Sequence, residues 1–486
     1  MTATDTAMAP AAPAPSLRWV LASLSLSMLL SSLGTSSANV ALPALADAFG
    51  ASFQAVQWVV LAYLLAITTL IVSVGRLGDI VGRRRLLVAG IALFTAASVI
   101  CGLTPGFALL IAARAVQGIG AAIMMALTMA FVGEAVPKAR TGSAMGLLGT
   151  MSAVGTALGP SLGGALIAGP GWRAIFLVNV PLGLAVLFLA HRHLPADRKA
   201  EGRAPARFDV PGTLLLALSL GAYALAMTMG RGSFGMLNIA LLAAAALGLG
   251  LFLLVEARVT SPLIRLSMFR DPGLNAGLAT NALVSTVMMA TLVVGPFYLS
   301  RGLGLDAALV GLVMSIGPVI SAFGGVVAGR IVDRLGAAAI VVAGLVAMTA
   351  GCLALAVLPG LAGVAGYIAA IALLTPGYQL FQAANNTAVM TDVAADRRGV
   401  VSGLLNLSRN LGLVTGASVM GAVFASATAA ADIATAAPAA VATGMQVTFA
   451  VAGVLTVVAL AIGVAGGKLA KRREGPKMGR DGSSRA

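Results

Sequence analysis

Fourteen apolar runs, each long enough to cross a bilayer, constrain this chain of 486 residues more than any other feature. A helix needs about 20 consecutive apolar residues to span the hydrocarbon layer. The runs read as spans at roughly 17–40, 54–74, 86–104, 107–132, 142–168, 172–190, 210–230, 235–256, 274–299, 306–329, 338–358, 361–386, 399–424 and 445–467. They lack the period-2 alternation of barrel strands, and a backbone in lipid must satisfy its own polar groups, so the spanning elements are expected to be helices. With 59% hydrophobic and 10% charged residues, against roughly 25% charged in a soluble domain, a water-soluble globular fold is excluded. An all-α polytopic membrane protein is the class that remains.

A formal net charge of +15 raises nucleic acid as a partner, but the position of the charges argues against it. All but five of the 31 Lys and Arg residues fall in loops on one side when the N-terminus is placed inside. Arg173, Arg231 and Arg301 lie on the other side, and Arg114 and Arg409 fall within spans. The positive-inside rule therefore puts both termini in the cytoplasm of a multi-pass protein of the inner or plasma membrane. The basic character reads as topology, and no nucleic-acid partner is expected.

Residues 1–16 are Ala/Pro-rich without a basic residue, unlike a signal-peptide n-region, and read as a cytoplasmic tail. The expected organisation is a six-helix bundle over 17–191, a linker over 192–209, two inserted helices over 210–257, a linker over 258–273, a second six-helix bundle over 274–467 and a basic tail over 468–486. An internal repeat carries this division. Gly75-Arg76-Leu77-Gly78-Asp79-Ile80-Val81-Gly82 after span 2 is matched by Gly329-Arg330-Ile331-Val332-Asp333-Arg334-Leu335-Gly336 after span 10, with Gly, Arg, Asp and Gly at the same offsets. A shift of eight spans where a six-helix repeat gives six leaves two extra helices between the halves.

Five motifs in order along the spans resemble the major facilitator superfamily, and within it the fourteen-spanner drug/proton antiporters. Gly75 through Leu87 is similar to the superfamily's signature between spans 2 and 3. Leu110 to Ala122, with Arg114, Gln117, Gly118 and Gly120, resembles the proton-transfer motif of span 4. Gly155-Thr156-Ala157-Leu158-Gly159-Pro160-Ser161-Leu162-Gly163-Gly164 resembles the antiporter motif of span 5. Asn39 to Pro43, and Trp172-Arg173 with Phe176, Asn179 and Pro181, resemble marks of the fourteen-spanner subgroup. The resemblance implies two six-helix bundles plus two inserted helices, a part for Arg114 in proton coupling and an outward direction of transport.

The residues support these roles independently. Gly75 and Gly82 permit a tight turn and close approach, while Asp79 sits among arginines that include Arg83 and Arg84. A basic loop serves topology by itself, but Asp79 and its repeat partner Asp333 are not needed for that, which points to a gating latch of charged hydrogen bonds. An intramembrane Arg costs at least about 2.5 kcal/mol, so Arg114 is expected to face a cavity or a partner, with Gln117 one turn on to orient it. Gly155, Gly159 and Gly163 recur every four residues and make a flat packing face, with Gly164 beside them and Pro160 as a weak point; this is expected to form a tight, bendable contact between the halves.

One departure stands out. No acidic residue falls at mid-membrane, and Gly34 occupies the span 1 position where many drug-exporting relatives carry an Asp. Two arginines without an opposing carboxylate predict a preference for neutral or anionic amphiphiles over permanent cations. Protons would then be carried by Glu134, Asp79 or Asp47 near a mouth of the pathway, or Arg114 would exchange partners with the substrate.

Polar faces inside spans mark the remaining pathway candidates: Tyr378, Gln382 and Asn385 in span 12, Asn406 and Arg409 in span 13, Asn281 in span 9 and Asn39 in span 1. Trp58 and Tyr63 are candidates for stacking on an aromatic substrate, with interfacial anchoring as the alternative for Trp58. Cys101 and Cys352 read as core packing, and no metal-ligand spacing or Walker loop is visible, so neither a metal nor another cofactor is expected. The chain reads as a secondary exporter of hydrophobic or amphiphilic small molecules, energised by the proton gradient, in contact with lipid and acting as a monomer. The alternatives are a dedicated exporter of one metabolite or lipid, an importer or symporter, and a non-transporting membrane sensor; no feature points to an enzyme.

Overall fold

The computed structural model describes residues 17–136, 141–195, 197, 210–229, 235–258, 266–390, 393, 398–429, 433 and 436–474. Regular structure among them is helical throughout. The first bundle comprises α1 (Leu17–Val40), α2 (Leu42–Phe49), α3 (Phe53–Val56), α4 (Trp58–Val81), α5 (Arg83–Leu103), α6 (Phe107–Ala135), α7 (Thr141–Ala168), α8 (Ala174–Leu177) and α9 (Asn179–His193). Next come α10 (Val210–Thr228) and α11 (Met236–Arg258). The rest comprises α12 (Pro272–Phe297), α13 (Ala307–Leu335), α14 (Ala337–Met390), α15 (Arg398–Thr415), α16 (Gly421–Thr428) and α17 (Pro438–Glu474). Among the described residues, 13 helices are long and apolar enough to cross a membrane.

The longest, α14, holds 54 residues, roughly 80 Å if it were straight and more than twice a bilayer's hydrocarbon core. It is not straight: Ala362 and Gly363 leave helical geometry, and φ at Gly363 is +53°. The halves fold back on each other, since Gly344 lies against Phe381, Gly377 against Met348 and Gly351 against Leu374. As one index rises the other falls by the same amount, the signature of an antiparallel pair. The two separate runs expected at 338–358 and 361–386 are these halves.

The repeat extends beyond the motif that revealed it. Ser52 caps α3 by accepting from the Ala55 N–H, and 254 residues later Asp306 caps α13 by accepting from the Leu309 N–H. Gly50 and Gly304 have φ of +57° and +69°, and Gly82 and Gly336 have +103° and +85°. Turns at both ends of span 2 are thus rebuilt at both ends of span 10, each with the residue that tolerates a left-handed backbone. Gly75, expected to help the turn, instead lies within α4, and Gly82 alone breaks the chain before α5.

The core is divided. One apolar cluster, around Leu24, Phe94, Met124 and Leu148, draws only on residues of the first bundle. A larger one joins the two bundles through Phe53, Val60, Phe176, Val294, Phe297 and Phe424. Below, the end carrying Arg83–Arg85 and Arg334 is the basic end, and the opposite one, carrying Asp47 and Arg301, the far end.

The hairpin of α10 and α11 lies across the seam between the bundles. Ser73 of α4 and Thr213 of α10 share a hydrogen bond of 2.9 Å, and the Trp58 indole N–H donates to the Thr228 hydroxyl at 3.1 Å. Tyr223, on the same helix, reaches Thr415 and Ser418 of the second bundle. Most of α11 is exposed apolar surface, as a lipid-facing helix requires.

Candidate functional site

The two bundles meet at the far end. Phe53 is 1% exposed and inserts between Phe297 and Phe424, with ring centroids 4.7 Å and 5.3 Å away. Beside it the buried Gln57 side chain donates to the Ala417 carbonyl at 2.9 Å and lies against Gly421, where a side chain would exclude it. The acceptor belongs to a π-helical turn, Gly416–Met420, whose wider hydrogen-bond spacing loosens the helical ladder. Helices α7 and α13 touch backbone to backbone: a Cβ on Gly164 would lie 2.6 Å from the Ala307 oxygen and 2.8 Å from the Gly311 Cα. At the rim Arg301 donates to the Asp47 carboxylate.

The basic end is built differently. A Cβ placed on Gly75, Gly325, Gly329, Gly336 or Gly403 would meet no described atom within 4 Å. Two residues of the loop motif are tied to the segment that follows the first bundle: the Arg84 and Arg85 backbone N–H groups donate to the two Asp197 carboxylate oxygens at 2.7 Å and 3.2 Å. Asp197 thereby caps α5 from another segment, packed against Gly82, where any Cβ would collide with it. The Arg84 guanidinium donates to the His191 carbonyl at 2.5 Å. Asp333 is exposed, and the side chains of Asp79 and Glu134 lie outside the described residues.

Arg114 has the partner expected of it, Gln117, and is 0% exposed. Its Nε donates to the Val59 carbonyl at 2.8 Å, and its Nη1 to the Gly34 carbonyl at 3.1 Å and the Gln117 Oε1 at 2.5 Å. Gln117 in turn donates to Ser98 at 2.7 Å. The guanidinium carbon lies 4.2 Å from the centre of the Tyr63 ring, a cation–π contact. Carbonyl dipoles and a ring face thus solvate much of the charge where a carboxylate was missing, while Nη2 is buried without a hydrogen-bond partner among the described residues. Gly34 makes room for this: a Cβ there would come within 2.9 Å of the Phe94 ring. Tyr63 is also fully buried, its hydroxyl donating to the Ser31 carbonyl, so it lines the socket and not a substrate path. Trp58 pins α10, and Asn39, 0% exposed, donates to Thr35 of its own helix. These three aromatic and amide candidates are packing residues in this conformation.

The glycine face of α7 is likewise reassigned. Gly155 lies on the Leu29 carbonyl, Gly159 on Ser36 and Gly163 on Ser37, all residues of α1 in the same bundle. Their spacing builds an intrabundle seam, reinforced by the Ser36 hydroxyl donating to the Gly155 carbonyl at 3.1 Å. Gly164 and the Pro160 carbonyl meet Gly311 of the other bundle, where α7 packs along α13, so the motif also supplies the expected contact between the halves.

Polar residues of the second bundle divide in two. Asn281 donates to the Leu405 carbonyl at 2.9 Å and Asn385 to the Gly277 carbonyl at 3.2 Å, joining α12 to α15 and α14. Tyr378, Gln382, Asn406 and Arg409 are partly exposed, as residues lining a path would be. Sequence reasoning missed Phe53, Gln57, Asp197 and Gly311. A polar Gln at the head of an apolar run was the one signal that marked any of them.

The profile of the Major Facilitator Superfamily matches residues 24–417. The chain is 34% identical over 390 residues to the multidrug resistance protein Stp of Mycobacterium tuberculosis, covering 80% of this chain and 72% of that protein. It is 30% identical over 412 residues to the riboflavin transporter RibZ of Clostridioides difficile, covering 84% and 88%. Among solved structures it resembles a bacterial homolog of the human lysosomal transporter Spinster, inward-facing and unoccupied, with a TM-score of 0.68 at 18% identity over 95% of this chain and 99% of that one. The chain belongs to the Major Facilitator Superfamily. It is a multi-pass membrane transporter of small molecules and not an enzyme.

Proposed function

We propose that this transporter exports hydrophobic or amphiphilic, drug-like molecules across the plasma membrane by alternating access, energised by inward proton flow. In this reading the chain crosses the bilayer fourteen times as a monomer, with both termini and the basic end in the cytoplasm, as the positive-inside rule asks. The observation that carries it is where the described bonds between the bundles lie: Phe53, Gln57, Gly164 and Arg301 cross at the far end, while the described bonds of Arg84 and Arg85 at the basic end do not cross to the second bundle. That is the arrangement of a carrier open to the cytoplasm, ready to load. The resemblance to Stp supports drug export. With Arg114 sealed by carbonyls, protons are carried by carboxylates at the mouths, Asp47 at the far end and Asp79 and Glu134 at the basic end. The lack of an acidic residue at mid-membrane in the sequence favours neutral and anionic cargo over quaternary cations.

The resemblance to RibZ supports a second reading, a dedicated carrier of one metabolite. Reconstitution in liposomes with an imposed pH gradient tests both. Drug export predicts gradient-driven flux of several unrelated neutral or acidic drugs and weak flux of a quaternary dye; a dedicated carrier moves one compound saturably. Flux that ignores the gradient rejects proton antiport, and strong preference for the dye rejects the charge assignment.

A further inference from the structure

Arg409 differs from Arg114 in having no hydrogen bond or ion pair among the described residues, although it sits about 11 residues, or roughly 16 Å, into α15. Its direction follows from the neighbours of that helix. At about 100° per residue, Leu405, Ser408, Gly412 and Gly416 form one face, and it packs on α12 through the Asn281–Leu405, Ser408–Leu278 and Gly412–Ser285 contacts. Thr415 and Ser418 face Tyr223 of α10, and Ala417 and Gly421 face Gln57 of the first bundle. The side opposite α10 carries Asn406, Arg409 and Leu413. Because the α10–α11 hairpin covers the lipid side of the seam, that remaining side looks inward between the bundles. Leu413, about one turn after Arg409, packs against the core that joins the two bundles.

Some of the buried polar atoms without a hydrogen-bond partner lie on α15 and its neighbours α12 and α14, with others spread over the first bundle. Asn410 Nδ2 on α15, Ser285 Oγ and Asn281 Oδ1 on α12, and Gln382 Oε1 on α14 are buried without a hydrogen-bond partner. A buried polar group with no partner is uncommon in a native core and calls for an explanation, and a ligand that enters between the bundles is one.

We infer that Arg409 is the residue that anchors an anionic group of the substrate, a carboxylate or similar acid on an amphiphile entering from the basic end. The inference rests on the transport reading above and narrows its substrate class. While the basic end is open, water solvates the guanidinium. When that end closes, the water must leave, and no carboxylate is at hand to replace it. A substrate anion pairs with Arg409 at that moment, so the loaded carrier occludes more readily than the empty one, which is selection by differential interaction with the two states.

The test uses a matched pair of fluorescent probes, N-dansyl-leucine and the uncharged N-dansyl-leucinamide, with the full-length protein in liposomes and in detergent. Wild type is expected to bind and move the acid at least tenfold better than the amide. Arg409→Gln removes that preference while leaving the amide within about twofold, because Arg409 supports no structural bond, and Arg409→Lys restores part of it. Equal handling of acid and amide by wild type overturns the anchor, as does an unchanged acid preference in Arg409→Gln, a parallel loss of both probes in that variant, or failure of wild type to bind either. Failure of the transport reading itself looks different: no wild-type flux of any drug under any gradient, whatever the probes bind.

Discussion

The two ends of this transporter are made from the same repeat and do opposite things. At the far end, turns with left-handed Gly50 and Gly304 bring the bundles together. At the basic end, left-handed Gly82 packs on Asp197 and left-handed Gly336 meets no described atom, so neither turn touches the other bundle among the described residues. The closed end is held by groups that water cannot reach: a phenylalanine between two rings, a buried amide on a free carbonyl, and glycine against glycine. At the basic end the described bonds of Arg84 and Arg85 stay with segments of the first half, as when Asp197 caps α5. Where the closing energy resides is therefore a matter of burial, and the charged loops are arranged to be available when the other end closes.

The largest expected effect comes from filling the glycine contact. Gly311→Leu sets a side chain against the Pro160 carbonyl and the Gly164 backbone, which cannot rotate away. Overpacking costs about 1–3 kcal/mol, enough to favour separation at the far end by about fivefold to a hundredfold. Spin-label distances across the far end are expected to lengthen. Gly329→Leu is the control at the basic end: its neighbourhood is empty here, so this conformation is unaffected and only the opposite one is hindered. If both variants moved the far-end distance equally, the contrast between the ends would be lost.

Gln57→Ala is expected next in size. The Ala417 carbonyl loses its donor inside a buried contact, and an unsatisfied buried group costs about 1–3 kcal/mol. Amide hydrogen exchange across 416–421 is the measurement, with faster exchange expected in the variant and no change at the α5 cap held by Asp197. Unchanged exchange at 416–421 would mean that the π-helical turn is stable without the other bundle, and Gln57 would then be filling space only.

Much of the fold was legible because membrane helices are written in runs of apolar residues, and the eight-span repeat was legible because left-handed turns demand glycine. The site was legible only where a residue type is costly enough in lipid to need a reason. Arg114 and Gln117 were visible for that cause, but their partners were not. Two of the acceptors are the backbone carbonyls of Gly34 and Val59, which no side-chain pattern encodes. In the sequence Gly34 stands out as a missing acid, and the structure makes it the space a ring needs. The stripe of Gly155, Gly159 and Gly163 announced a close contact without saying with which helix, since glycine is equally suited to α1 or to the other bundle. Gln57 and Ala417 lie 360 residues apart, and a single amide has no periodicity to detect.

The smallest effect tests whether charge contributes to the closed end at all. Asp47 and Arg301 join the bundles, but their side chains are 57% and 29% exposed. An exposed pair is worth about 0.2–1 kcal/mol, because water screens it and two side chains must be held still. Asp47→Asn is therefore expected to shift the far-end distances by less than Gln57→Ala, and the shift is expected to vanish in 1 M salt, where the screening length falls to about 3 Å. The same variant speaks to proton coupling. If Asp47 carries the proton at that mouth, gradient-driven flux falls while the distances barely change; if it only pairs with Arg301, flux and distances change together and by little. A shift as large as that of Gln57→Ala, persisting in high salt, would move the closing energy from the buried amide to the rim.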